Sequence, residues 1–152
     1  MQQYTWFFSL RQPLSSEKKE AVEHSFARFL SQWKTHGTPV DGMISLKYDQ
    51  FVIVQADPAV NRPSGCSIDS LKRAISTILQ QEQLEWLDAG MVFYRRTGGE
   101  IQSVNFREIP ALVKSGEITP ETIVFDNSLD QSDDLSKWEV AVKHTWLNRY
   151  FR

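Results

Sequence analysis

The sequence predicts an α+β fold, and three observations carry that reading. Two segments, 16–36 and 67–81, repeat apolar residues at the spacing of a helix. Short runs rich in Phe, Ile, Val and Tyr stand before, between and after them, as strands do. Pro and Gly fall at the joints between these segments, where the backbone has to turn.

In the first strand, 5–10, Trp6, Phe8 and Leu10 alternate with Thr5, Phe7 and Ser9, and Gln12-Pro13 stops the run. Ser15 or Ser16 then caps a helix whose first turns hold Glu17 and Glu20, near the positive end of the helix dipole. Val22, Phe26, Phe29, Leu30 and Trp33 form its buried stripe. His36 continues that stripe, and Gly37 ends the helix in a left-handed conformation. Residues 43–48 and 51–56 predict a hairpin joined by Asp49 and Gln50. The continuous apolar run 51–54 makes its second strand a central one, covered on both faces. Residues 57–66 form a loop with two prolines and a glycine. Ser67 caps the second helix, with Asp69 in its first turn and Ile68, Leu71, Ile75, Ile78 and Leu79 as its stripe. Leu84 and Leu87 fall in a last turn or a short connector, Asp88-Ala89-Gly90 closes the segment, and 91–95 is a strand. Strand, helix, hairpin, helix, strand is the β-α-β-β-α-β order of a ferredoxin-like sandwich, with both helices on one face of an antiparallel sheet.

A smaller α/β extension follows. Thr97 to Glu100 is a hairpin turn. Asn105 and Glu108 have the spacing of a capping box ahead of Ile109, Leu112 and Val113. Gly116 ends that short helix, and 122–125 is a strand. The expected organisation is a ferredoxin-like half, 1–95, and a C-terminal half, 91–152, packed as one compact body. Val92-Phe93-Tyr94, Gly98-Gly99, Ile109, Leu112-Val113, Gly116, Ile118, Pro120-Glu121-Thr122, Val124 and Trp138 together resemble the small GYF-like modules of bacterial proteins, over about 91–147. Where those modules have a Gly-Met-x-x-Trp turn, this chain has an acidic stretch, Asp126 to Lys137. The alternative is that these elements extend the first sheet.

Composition excludes several classes. Lys and Arg number 17 against 19 Asp and Glu, a net charge of -2, which argues against a generic nucleic-acid binder. Cys66 is the only cysteine, so no intrachain disulfide forms, and a reducing, cytoplasmic location is expected. No apolar run approaches the ~20 residues of a membrane span. Ser31-Gln32-Trp33 with His36-Gly37, the run Ser64-Gly65-Cys66-Ser67-Ile68-Asp69, and the ending Trp138 to Arg149 resemble a family of small bacterial proteins often labelled "ABC transporter ATPase". That label implies phosphate binding by Gly-x-x-x-x-Gly-Lys-[Ser/Thr]. The nearest run, Pro63 to Ser67, lacks both the lysine and the second glycine, so ATP hydrolysis is rejected.

Two places attract functional attention. Cys66, beside Gly65, Ser67 and Asp69 at a helix start, has the amides and the dipole that stabilise a thiolate or bind an anion. His36 is the histidine best placed to meet it; His24 lies on a polar face. The plainer expectation is a small buried cysteine beside a cap, and Asp69 opposes a thiolate. The second place is the C-terminus, where Lys143, His144, Arg149 and Arg152 interleave with Trp146 and Tyr150. It is read either as a partner-binding surface or as an amphipathic segment with Val142, Trp146, Leu147 and Tyr150 turned inward. The acidic loop 126–134 lacks the glycine and the final glutamate of an EF-hand, the three histidines have no ligand spacing, and neither metal nor cofactor is expected. The expected function is a binding or adaptor protein without catalysis, for a protein or peptide partner or a second copy of itself. The alternative is a small enzyme or anion-binding protein centred on Cys66, with His36 as its base.

Overall fold

A computed structural model describes residues 4–57, 63–87, 90–129 and 134–152. The fold is α+β with antiparallel sheets. The described residues divide into two compact units, one within 4–87 and one within 90–152. No helix among the described residues is long and apolar enough to cross a membrane. Residues 58–62 of the predicted loop 57–66, the Asp88-Ala89 joint, and Asp130 to Asp133 of the acidic stretch lie outside the described residues.

The first unit contains β1 (Tyr4–Leu10), α1 (Ser16–Leu30), β2 (Lys34–Thr35), β3 (Thr38–Pro39), β4 (Gly42–Lys47), β5 (Phe51–Ala56), α2 (Gly65–Gln81) and β6 (Trp86–Leu87). Its main sheet has the order β4-β5-β1-β6, antiparallel throughout. The expected hairpin is there, and β5 is central: Phe51 to Val54 are all buried. Its turn is tight, with Tyr48 and Asp49 both at positive φ, 54° and 55°, and the Gln50 amide donating to the Lys47 carbonyl. Two left-handed residues in succession match the right-handed twist of the strands. Trp6, Phe8 and Leu10 from β1 and Val52 and Val54 from β5 share a core with Val22 and Phe26 of α1 and with Leu71, Ile75 and Leu79 of α2. Both helices therefore cover the same face of the sheet.

Three expectations about this unit need correction. First, α1 stops at Leu30 instead of continuing to His36. Ser15 is its cap and accepts from the Lys18 amide at 3.3 Å. Beyond Leu30 the chain makes a second tight hairpin, β2 to β3, whose turn is His36 (φ 51°) and Gly37 (φ 79°). Gly37 supplies a left-handed residue, as expected, but in a turn and not at a helix end. His36 is exposed there, so it does not extend the buried stripe. Second, the cap of α2 lies three residues earlier than expected. Ser64 is its cap and accepts from the Ser67 amide at 3.2 Å. Ser67 is buried inside the first turn, its hydroxyl donating to the Ser64 carbonyl, and Asp69 moves out of that turn. Third, the strand that closes the sheet is β6, not 91–95. Its place beside β1 is fixed by pairing of Ser9 with Leu87 and Leu10 with Trp86. The Arg11–Glu85 ion pair at 2.9 Å and the edge of Trp86 against Phe8 hold it there.

The second unit contains β7 (Met91–Arg95), β8 (Ile101–Asn105), α3 (Ile109–Ser115), β9 (Ile123–Phe125) and β10 (Glu139–Ala141), with a sheet of order β10-β9-β7-β8. The capping box is present: Asn105 accepts from the Arg107 amide and Glu108 accepts from the Asn105 amide, both at 3.0 Å. It opens a single 3-10 turn that leads into α3, where Pro110 falls at a position with no amide partner to lose. Gly116, at φ 83°, ends α3. The core of this unit joins Val92, Tyr94, Ile109, Ile118, Val124, Val142 and Leu147. Short 3-10 turns at Val142–His144 and Trp146–Phe151 finish the chain.

Candidate functional site

The start of α2 gathers the first set of predicted residues. The 34–39 hairpin is tied to it, because the Ser64 amide donates to the buried Thr35 hydroxyl at 3.1 Å. Gly65, Cys66 and Asp69 are exposed, and Ser67 is buried with both of its polar groups engaged in the cap. Cys66 is thus not the buried cysteine that the cap position suggested. It occupies the second residue of the helix, where its side chain points away from the core that Leu71 and Ile75 enter. Among the described residues no hydrogen bond joins His36 to Cys66, and no group of three His, Cys, Asp or Glu is placed to hold a metal ion. The histidine that was expected to serve as a base is therefore not brought to Cys66 among the described residues. An exposed thiol has a simple consequence. The native protein should react with one equivalent of DTNB without denaturant, at a rate within roughly tenfold of that in denaturant. Reaction only after unfolding would show that Cys66 is covered.

The C-terminal residues assemble into a surface of another kind. Val142 and Leu147 turn inward as the amphipathic reading expects, but Trp146 does not: 41% of it is exposed. Thr145 directs the chain here, its hydroxyl accepting from the Leu147 amide and donating to the Val142 carbonyl. Arg149 lies between Trp146 and Tyr150, with its guanidinium carbon 5.1 Å from each ring centroid, and its NH2 group donates to the Tyr150 hydroxyl at 3.1 Å. The two rings meet edge to face at 6.4 Å. Cation–π contacts of this kind hold the guanidinium in place while leaving other N–H donors to solvent. Lys143 reaches Glu121 at 4.0 Å, an exposed pair that leaves it little constrained.

Beside Trp146 is a small cavity of about 40 Å³ that sequence reasoning did not find. Met91, Val124, Phe125, Asn127 and Thr145 line it with Trp146. It forms where the end of β9 passes the 3-10 turn that carries Trp146, a meeting of segments some twenty residues apart for which local spacing gives no signal. Asn127 is fixed there, accepting from the buried Trp138 indole N–H at 2.7 Å. In the acidic stretch, Asp126 accepts from the amide and hydroxyl of Ser128. Asp134 accepts from the Ser136 amide at 2.9 Å, a bond that holds its carboxyl below the usual range. Both described carboxylates are therefore occupied as local caps.

A third cluster joins the end of β7 to the residues just past α3. Tyr94 is buried, and its hydroxyl donates to Glu117 Oε1 at 3.0 Å. The same oxygen receives Arg96 Nε at 3.0 Å. Burial, then the bond to Glu117 and its charge, push the Tyr94 phenol up to about 12. Such a phenol keeps its proton, and so remains a hydrogen-bond donor, at every physiological pH. Comparison of the chain with protein-family models, with curated proteins and with solved structures finds no match.

Proposed function

We propose that this chain is a binding or adaptor protein with no catalysis of its own, and that its partner, a protein or peptide, engages the Trp146–Arg149–Tyr150 surface. The observation that carries the reading is the exposure of Trp146 next to a preformed cavity, with a guanidinium held against its face. Large exposed aromatics beside a concave apolar spot, rimmed by a cation, are the usual makings of an interface anchor. The cavity is the size of a small aliphatic group and suits a single anchoring side chain. We further propose a ferredoxin-like identity for the first unit, supported by the order β4-β5-β1-β6 with all neighbours antiparallel and both helices on one face. The GYF-like character of the second unit, and kinship with the small bacterial proteins labelled "ABC transporter ATPase", are proposals on the sequence residues named above. A reducing, cytoplasmic setting is proposed only on the sequence's single cysteine, Cys66.

The test is selection of peptides from a random displayed library on the full chain. Selected peptides should bind with Trp146→Ala costing about 2 kcal/mol, at least tenfold in Kd, and Arg149→Ala a smaller loss. Trp146 is 41% exposed and packs with the rest of its surface, so the variant should lose some stability, and binding is compared under conditions where urea unfolding shows both proteins fully folded. A library that yields no binders, or binders indifferent to both substitutions, would refute the reading.

A further inference from the structure

We propose that the groove between α1 and α2 is a second binding site, one that takes a short acidic segment of a partner protein. The helices run antiparallel. Lys18, at the start of α1, donates to the Glu82 carbonyl just past α2 at 2.8 Å, and Trp33, just past α1, donates to the Ser67 carbonyl in the first turn of α2 at 2.9 Å. Their solvent sides leave an open groove. Arg28 on α1 and Gln32, two residues past its end, stand along one wall, and Arg73, Thr77 and Gln81 along the other, at i, i+4, i+8 on α2. Phe29, half-buried, gives the groove an apolar floor.

Charge identifies the occupant. The chain has more carboxylates than cations, 19 to 17, yet no carboxylate lines this groove among the described residues. Arg11, Arg95 and Arg96 each hold a glutamate at 2.9, 3.1 and 3.0 Å. Arg28 and Arg73 make no ion pair among the described residues, and both are exposed. Two guanidinium forks, two carboxamides and the hydroxyls of Ser25, Ser70 and Thr77 therefore line an open apolar-floored channel whose charged lining groups are both positive. Each fork matches a carboxylate in bidentate geometry. The row from Arg73 to Gln81 is about 12 Å long at 1.5 Å per residue, the reach of about four residues of extended chain. Single-stranded nucleic acid fits less well, since it calls for several cations along its backbone and exposed rings for its bases to stack on. The groove has two cations, and Phe29 is its aromatic. An acidic segment with an apolar residue between its carboxylates uses every feature present.

The test is an amide-shift titration of the full chain with the hexapeptide Glu-Asp-Leu-Glu-Asp-Leu, blocked at both ends. Exposed ion pairs are weak, so the expected Kd is of the order of 0.1–1 mM, rising with salt. Shifts should cluster in 25–32 and 70–81 and vanish in the Arg28→Glu/Arg73→Glu variant, whose spectrum elsewhere stays that of the parent. Trp146→Ala should leave the titration unchanged, which separates this site from the C-terminal surface. The proposal is overturned by an absence of shifts, by equal shifts with Gln and Asn in place of the acidic residues, by shifts that survive the charge reversal, or by a ten-nucleotide oligouridylate that binds the groove more tightly than the peptide.

Discussion

Trp33→Ala should destabilise the first unit by about 3–5 kcal/mol, the usual loss for a buried tryptophan truncated in a core. The indole is 2% exposed although it stands outside any helix. Its ring touches Phe29 at 5.6 Å between centroids and meets Trp6 edge-on at 6.1 Å, and its N–H donates to the Ser67 carbonyl. Trp33→Phe keeps much of the packing and loses the hydrogen bond, so about 1–2 kcal/mol is expected. Gly42 gives an independent check. A Cβ placed there would lie 2.8 Å from Trp33 Cζ3 and 3.2 Å from Leu30 Cδ2. The indole is pinned at its N–H and against two other rings, so it cannot swing aside. Gly42→Ala, which in most strands gains backbone entropy, should here cost about 1–3 kcal/mol. In the Trp33→Ala background the two ring contacts disappear and only Leu30 Cδ2, the far end of a flexible side chain, stays close, so the alanine should cost much less than in the parent. Urea unfolding of the four proteins, read by the remaining tryptophans, measures that coupling. A neutral Gly42→Ala in the parent would mean that the ring does not lie across Gly42.

What the sequence made legible here is local. The α1 stripe, the central position of β5 and the Asn105–Glu108 box are written within a few residues of each other, in apolar spacing and in side chains that reach their own backbone. What it concealed depends on competition between distant segments. His36-Gly37 signals positive φ in a helix end and in a two-residue hairpin turn alike, and only the pairing of Lys34 with Pro39 decides between them. Trp33 was correctly placed in the core by a helical stripe, but the backbone that puts it there is not helical. The strand 91–95 had the stronger pattern for closing the first sheet. Two residues, Trp86 and Leu87, take that edge because Leu10 and Ser9 pair with them, Phe8 receives the Trp86 ring and Arg11 holds the preceding Glu85, and 91–95 pairs instead with Ile101–Asn105. Exposure was the least legible property of the candidate sites. Cys66 and Trp146 both stood beside buried neighbours in sequence, and each points to solvent because Ser67 and Leu147, one residue away, point in.

In alkaline solution Tyr94 should govern the stability of the second unit. An unfolded tyrosine releases its proton near pH 10, whereas folded Tyr94 keeps its proton up to about 12. Below pH 10 both states carry the proton, and the contribution is complete and independent of pH. Between pH 10 and 12 the unfolded state binds fewer protons than the folded one, so stability falls as pH rises. At 1.4 kcal/mol per unit the loss reaches about 2–3 kcal/mol by pH 12. The cause is spatial: the phenolate would be buried, beside Glu117 Oε1, and Arg96 compensates only in part because that same oxygen already occupies it. Tyr94→Phe removes the titrating group. At neutral pH it should cost about 1 kcal/mol, since Glu117 is 32% exposed and water replaces the lost donor. Lysines ionise in the same range, but they do so equally in both proteins and cancel in the difference between parent and variant. That difference, measured by urea unfolding from pH 8 to pH 12, should be flat to pH 10. It should then shrink by pH 12 and change sign, leaving the phenylalanine variant the more stable. A difference that stays constant across the range would place the Tyr94 hydroxyl in contact with water, and the buried bond to Glu117 would have to be given up.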